Sequence, residues 1–128
     1  MKEKEVWDML ITRAEEVLNP RTISPFIEAG GVGAAILTKK GNVYTGVCID
    51  TASTLGMCAE RNAIANMITN GESKIEKLVS SSGDVVLVPC GRCLEFIRQL
   101  DDENLDTEVL LENDKIIPMM EPKIELVE

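Results

Sequence analysis

Val32-Gly33-Ala34-Ala35-Ile36-Leu37 is followed by Lys40-Gly41-Asn42 and then by Val43-Tyr44-Thr45-Gly46-Val47-Cys48-Ile49. Two apolar, β-rich runs around a Gly-Asn turn predict an antiparallel hairpin. Upstream, Val6, Met9, Leu10, Ala14, Val17 and Leu18 recur at three- and four-residue spacing, which predicts an amphipathic helix over residues 3–18 that Asn19-Pro20 ends. A loop containing Pro25 joins this helix to the hairpin. Downstream, Ala63, Ile64, Met67 and Ile68 mark a second helix over 58–70, with Gly71 just past its end. The apolar runs 78–80 and 85–88 read as one interrupted strand or two separate ones. Pro89 opens a third helix over 90–100, and 109–111 and 116–117 read as terminal strands or edge pieces. Helix, hairpin, helix, strand, helix, strand is the order of a layered α/β domain, with a mixed sheet and helices on both faces. A chain of 128 residues is expected to form one domain, 1–128.

Composition narrows the chemistry. Hydrophobic residues make up 45% and charged residues 27%, ordinary globular usage that fits neither disorder nor a disulfide-bound mini-protein. Acidic side chains outnumber basic ones 22 to 13, and a net charge of −9 opposes binding to a phosphate backbone, so no nucleic-acid partner is expected. No apolar run of about 20 residues is present, and Met1-Lys2-Glu3-Lys4-Glu5 lacks the pattern of a signal peptide. The expectation is a soluble, cytoplasmic protein with no membrane partner. There is no histidine, which excludes Ser-His-Asp and Cys-His catalysis and every imidazole metal ligand.

Four cysteines remain, Cys48, Cys58, Cys90 and Cys93. In a reducing compartment, Cys90-x-x-Cys93 reads as a metal clamp or a redox pair. Cys58 opens the second helix, and the crossover that follows it brings it toward Cys90 and Cys93 at one sheet edge. Three thiolates suit Zn²⁺ and leave a fourth position for water, the arrangement of a catalytic site. The helix dipole and free N–H groups at these helix starts are expected to lower the thiol pKa values. Glu60, two residues after Cys58, can stand beside such a water without binding the ion, and so becomes the candidate proton shuttle. Three thiolates and Zn²⁺ sum to −1, and Arg61 or Arg92 is expected to offset that charge near the sulfurs.

Cys58-Ala59-Glu60-Arg61 with Pro89-Cys90-Gly91-Arg92-Cys93 resembles the cytidine deaminase superfamily, in its small, all-cysteine, homotetrameric branch. Pro-Cys-Gly-Arg-Cys is also the form found in blasticidin-S deaminases. The resemblance runs from the hairpin to about Leu100. It implies a three-layer α/β/α fold with a mixed sheet of about five strands, zinc as cofactor, a homotetramer, and a place in pyrimidine salvage. It further implies hydrolytic deamination of a small aminated pyrimidine, cytidine or deoxycytidine by default, with Glu60 protonating the ring nitrogen and then the departing ammonia. Cys48 and Asp50 stand where the family carries Asn-x-Glu to hold the ribose. The spacing from there to Cys58 is one residue shorter, and Gly30-Gly31 replaces the usual aromatic. Phe26, Cys48, Asp50 and Ala59 are the candidate substrate contacts, Phe26 being the aromatic left for base stacking.

Other readings stay open at this level. A blasticidin-S-type or other heterocycle deaminase, a zinc-stabilised binding module that has lost catalysis, and a dithiol redox protein all use the same cysteines. Cys48 is the fourth thiol a closed structural site would need, yet in a strand it is more simply a buried hydrophobe or pocket wall.

Overall fold

The computed structural model describes residues 2–53, 55–112 and 115–118. Its elements run α1 (Glu3–Glu16), β1 (Arg21–Ser24), β2 (Ile27–Thr38), β3 (Val43–Thr51), α2 (Ala59–Thr69), β4 (Ile75–Ser81), β5 (Val86–Leu87), α3 (Gly91–Leu100), a 3₁₀ turn (Asp102–Asp106), β6 (Glu108–Leu110) and β7 (Ile116–Pro118). The order matches the reading of the sequence, with seven strands where about five are expected.

The surplus has a physical origin. Arg21-Thr22-Ile23-Ser24 is polar and mostly exposed, so no apolar pattern marks it as β1, and it is a strand because it pairs with Ile27–Ala29 across the Ser24–Ile27 turn. The segment expected to be a loop around Pro25 is therefore a second, tighter hairpin. β2 also starts earlier than its apolar run, because Ile27, Glu28 and Ala29 pair with Thr51, Asp50 and Ile49, before an irregularity that ends at Gly33. The runs 78–80 and 85–88 fall in two separate strands, the second of them strand only at Val86–Leu87, where β5 folds back on Ser80 and Ser81 of β4.

Alternate residues of the sheet face opposite layers. Ala34, Ile36, Leu78 and Val109 pack against Ala59, Ala63, Ile64 and Met67 of α2 and Ile97 of α3. Ala35, Val79 and Leu110 pack on the other face against Trp7, Leu10 and Ala14 of α1. Fully buried side chains such as Leu10, Ile36, Ile64, Leu78 and Ile97 contribute about 2 kcal/mol each. Two glycines let the helices approach closely. A Cβ on Gly33 would fall 2.1 Å from Ala14 O, and one on Gly46 would fall 2.4 Å from Ala63 N.

Sheet direction places the site. β3 and β4 both run antiparallel to β2 and hence parallel to each other. α2 leaves the C-terminal end of β3, and α3 starts near the C-terminal end of β4 after the short return of β5. Both helix starts therefore lie at one edge of the sheet. Among the described residues, no helix is long and apolar enough to cross a membrane.

Candidate metal and catalytic site

Cys58 and Cys90 are the N-caps of α2 and α3, each in extended backbone, and neither side chain is spent on capping its own helix. The two sulfurs are therefore free to meet in front of the helices. Backbone pairing of Met57 with Ile49, 2.9 Å in both directions, fixes the chain just before Cys58 to the edge of β3. Cys93, one turn into α3, completes the group. The Cys58–Cys90 sulfurs are 3.7 Å apart and the Cys90–Cys93 sulfurs 3.4 Å, and all three lie within 4.8 Å of one another. Sulfurs at the corners of a tetrahedron with bonds of about 2.3 Å would be about 3.8 Å apart, so the cluster fits a thiolate-bound zinc ion.

Burial pushes the Cys58 thiol upward, and the neighbouring Cys90 and Glu60 add to the rise. Burial and the Glu60 charge push Cys93 far above the ordinary thiol range. Burial also works against the Cys90 thiolate, but hydrogen bonds from the Cys93 and Arg92 backbone and from the other two cysteines outweigh it, leaving that thiol below its usual value. The expected lowering at the helix starts thus holds for Cys90 alone. Once one sulfur ionises, its charge and the dry surroundings oppose ionisation of the other two, and a divalent cation reverses that opposition.

Glu60, in the first turn of α2, is only 6% exposed. Its Oε2 accepts a 2.7 Å hydrogen bond from Ser80 Oγ of β4, and its Oε1 lies 3.9 Å from Cys93 Sγ. A buried carboxylate thus has one oxygen clamped and the other facing the sulfurs. The cluster opens into a cleft of about 540 Å³, with Cys48, Asp50 and Thr51 of β3 on one wall, and Leu87, Val88 and Arg92 among its other residues.

The sequence candidates divide as follows. Cys58, Cys90, Cys93 and Glu60 come together, and Cys48, Asp50, Ala59 and Arg92 line the same cleft. Cys48 is buried with its sulfur 3.8 Å from Asp50 Oδ2, outside the three-sulfur group, so a closed four-cysteine cage is not formed. Arg61 points its Nη2 at Gly56 O, 3.3 Å away, and its buried Nε has no partner among the described residues. Phe26 sits in the turn between β1 and β2, 70% exposed and outside the cleft lining. Ser80 is the residue the sequence reading passes over. A polar side chain at a position where strand alternation calls for a core hydrophobe was the signal for it.

Residues 13–107 match the family described as the cytidine and deoxycytidylate deaminase zinc-binding region. A probable cytidine deaminase of Dictyostelium discoideum is 37% identical over 68 residues, 51% of this chain and 46% of that protein. A blasticidin-S deaminase of Bacillus cereus is 35% identical over 97 residues, 67% of each chain. The matched stretch thus spans about half the length of the first relative and two thirds of the second. The crystal structure of cytidine deaminase from Mycobacterium tuberculosis superposes with a TM-score of 0.73 at 25% identity, covering 91% of this chain and 92% of that one. That from Mycobacterium leprae gives 0.75 at 24% identity, covering 91% and 95%, a likeness of fold.

Proposed function

Because the chain belongs to the cytidine and deoxycytidylate deaminase zinc-binding family, we propose that it is a zinc-dependent hydrolase that exchanges the exocyclic amine of a cytosine-type ring for oxygen and releases ammonia. Free cytidine and deoxycytidine are the first substrates. The observation that carries this reading is the buried Glu60 carboxylate, which holds Oε1 at 3.9 Å from Cys93 Sγ beside a three-sulfur cluster that opens on a cleft.

In this reading Cys58, Cys90 and Cys93 hold the ion. Zinc, when bound, supplies the Lewis acidity that makes water a nucleophile near neutral pH. Glu60 takes a proton at Oε1 from the attacking water and passes it to the ring nitrogen. It then carries a second proton to the departing amine, so that water and the aminated ring give a ring carbonyl and ammonia. Arg92 lines the cleft, and Arg61 keeps a buried Nε with no partner among the described residues. Both are assigned to offsetting the net negative charge of three thiolates with a divalent cation. Cys48, Asp50 and Ala59 are assigned to the wall that receives the substrate.

A second reading, a blasticidin-S-type or other aminated heterocycle, draws support from the exposed Asp50 carboxylate in the cleft, which suits an appended hydroxyl or cationic group. Exposed Leu55 (85%) and Val88 (61%) near the cleft, with Phe26 beyond it, support a homotetramer whose neighbouring copies cover these side chains. A cytoplasmic place in pyrimidine salvage completes the proposal.

Zinc content and ammonia release test it, using cytidine, deoxycytidine and blasticidin S. The parent is expected to bind stoichiometric zinc and turn over at least one of the three. Glu60→Ala should keep the zinc and lose turnover by about 10²- to 10⁴-fold. A zinc-loaded parent inert on all three, or a Glu60→Ala variant as active as the parent, overturns the reading.

A further inference from the structure

Ser80 lies on the face of β4 that carries Leu78 and turns toward α2 and α3, a layer otherwise built from Ala34, Ile36, Ala63, Ile64 and Ile97. It is completely buried, and register puts it opposite Ala34 of β2 and Leu87 of β5. A hydroxyl in such surroundings costs stability unless it is hydrogen-bonded. Its bond is the 2.7 Å one to Glu60 Oε2, which reaches from the sheet to the first turn of α2. The next residue, Ser81, faces the opposite layer and reaches Glu15 Oε2 at 3.3 Å, so the two adjacent serines serve different faces.

A glutamate has three side-chain torsions, and on a helix it swings readily toward solvent. Glu60 is held inward by a rigid central strand, with Oε2 engaged and Oε1 left toward Cys93. We propose that Ser80 is a positioning residue for the deamination reaction, fixing the Glu60 carboxylate so that one defined oxygen, Oε1, faces the reacting atoms. This rests on the deaminase reading above. Ser80 touches neither substrate nor sulfur in this role. It acts through Glu60, and its loss leaves the carboxylate free to rotate out of line.

The test uses the zinc-loaded full chain with Ser80→Ala, Ser80→Thr and Glu60→Gln. It reads ammonia release from cytidine, deoxycytidine and blasticidin S, zinc per chain, thermal midpoint, and the Glu60 conformation in a crystal structure of Ser80→Ala. We expect Ser80→Ala to lower kcat about 10- to 100-fold with zinc unchanged, and KM to stay within about threefold of the parent. Ser80→Thr, which keeps the hydroxyl, should recover most of kcat, and the Ser80→Ala crystal should show the Glu60 carboxylate turned from its parent position. Parent-like kcat in Ser80→Ala while Glu60→Gln is inactive overturns the positioning role and leaves the deaminase reading intact. Loss of zinc or of folding in Ser80→Ala that Ser80→Thr repairs with no separate effect on kcat assigns Ser80 to structure and also overturns it. A zinc-loaded parent that releases no ammonia overturns the deaminase reading itself. In that case a Glu60 carboxylate unmoved in the Ser80→Ala crystal shows independently that Ser80 does not position it.

Discussion

Cys58 and Cys90, 32 residues apart in the chain, bring their sulfurs to 3.7 Å because each caps a helix that starts at the same sheet edge. Cys48 lies on the wall of the same cleft but outside that group. Cys90→Ala is therefore expected to lower zinc content sharply, whereas Cys48→Ala should leave it unchanged and cost about 1 kcal/mol of packing. Metal analysis after dialysis checks both. A module using zinc as a four-cysteine fold element would instead lose the metal in both variants. The Cys58 and Cys93 thiols are held up, largely by burial. Zinc uptake should therefore release protons and tighten as pH rises, which a pH-indicator titration follows.

Tyr44 is the sole tyrosine of the chain, so a spectrophotometric titration reports it alone. Its hydroxyl donates to Glu72 Oε2 at 2.8 Å, and Asn42 Nδ2 donates to the same oxygen at 2.7 Å. The hydrogen bond to Glu72, followed by burial and the Glu72 charge, raises the Tyr44 pKa above 10.0. The folded value is raised, so the contribution to stability is complete below the unfolded pKa and fades as pH climbs through the folded one. Glu72→Gln should move the phenol titration back toward 10.0, while the cleft, at the other end of the hairpin, keeps its zinc.

Lys77 shows how the α1 face is tied down. Its side chain is 3% exposed, its Nζ is 3.1 Å from Glu3 Oε2 and also pairs with Glu108, and it lies 5.2 Å from the centre of the Trp7 ring. Burial works against its charge, but the bonds to Glu108 and Glu3 outweigh it and raise the pKa. Both carboxylates reach water and can rehydrate, so Lys77→Met, which keeps the alkyl volume, should cost about 1 kcal/mol or less. Lys77→Ala should cost about 2 kcal/mol through lost packing. The raised folded pKa makes the ionic part present below about 10.5 and lost above it, so parent and Lys77→Met should converge in stability as pH rises through that region. Urea denaturation at several pH values measures this.

The three helices, the central hairpin and the sulfur trio were legible in the sequence because each is marked by local chemistry: spacing of apolar residues, a Gly-Asn turn, and Cys-Ala-Glu and Pro-Cys-x-x-Cys at helix starts. β1 was not, since Arg21–Ser24 becomes a strand through its pairing with β2 and has no apolar face of its own. Ser80 stood out only as a polar residue on a core face, and its bond to Glu60 could not be read for a related reason. It depends on which face of β4 the register turns toward α2, a property of the assembled sheet. Arg61 and Phe26 were singled out by neighbourhood in sequence or by residue type, and neither criterion says where a side chain points. Arg61 turns to Gly56 and Phe26 to the surface.

Asn104, fully buried in the 3₁₀ turn after α3, joins three backbone groups, one each from the link before β4, from β4 and from α3. Its Oδ1 accepts from Ile75 N at 2.8 Å, and its Nδ2 donates to Ile97 O at 3.0 Å and to Ser73 O at 2.9 Å. Ile97 is in the last turn of α3, whose carbonyls lack partners within the helix, so Asn104 closes that end and locks it to the start of β4. Asn104→Ala strands these groups at about 1 to 3 kcal/mol each, partly relieved by entering water, and should cost about 3 kcal/mol in total. Asn104→Asp keeps the acceptor but replaces the two-hydrogen donor with a second oxygen that faces two carbonyls. At neutral pH it should therefore destabilise more than Asn104→Ala. The carbonyls would hold its folded pKa above the unfolded value, so the deficit should shrink as pH falls, because a protonated carboxyl can donate one of the two missing hydrogen bonds. Denaturant midpoints at neutral and mildly acid pH decide the matter, and an Asn104→Asp variant as stable as the parent at neutral pH would show that these two donations do not hold α3 in place.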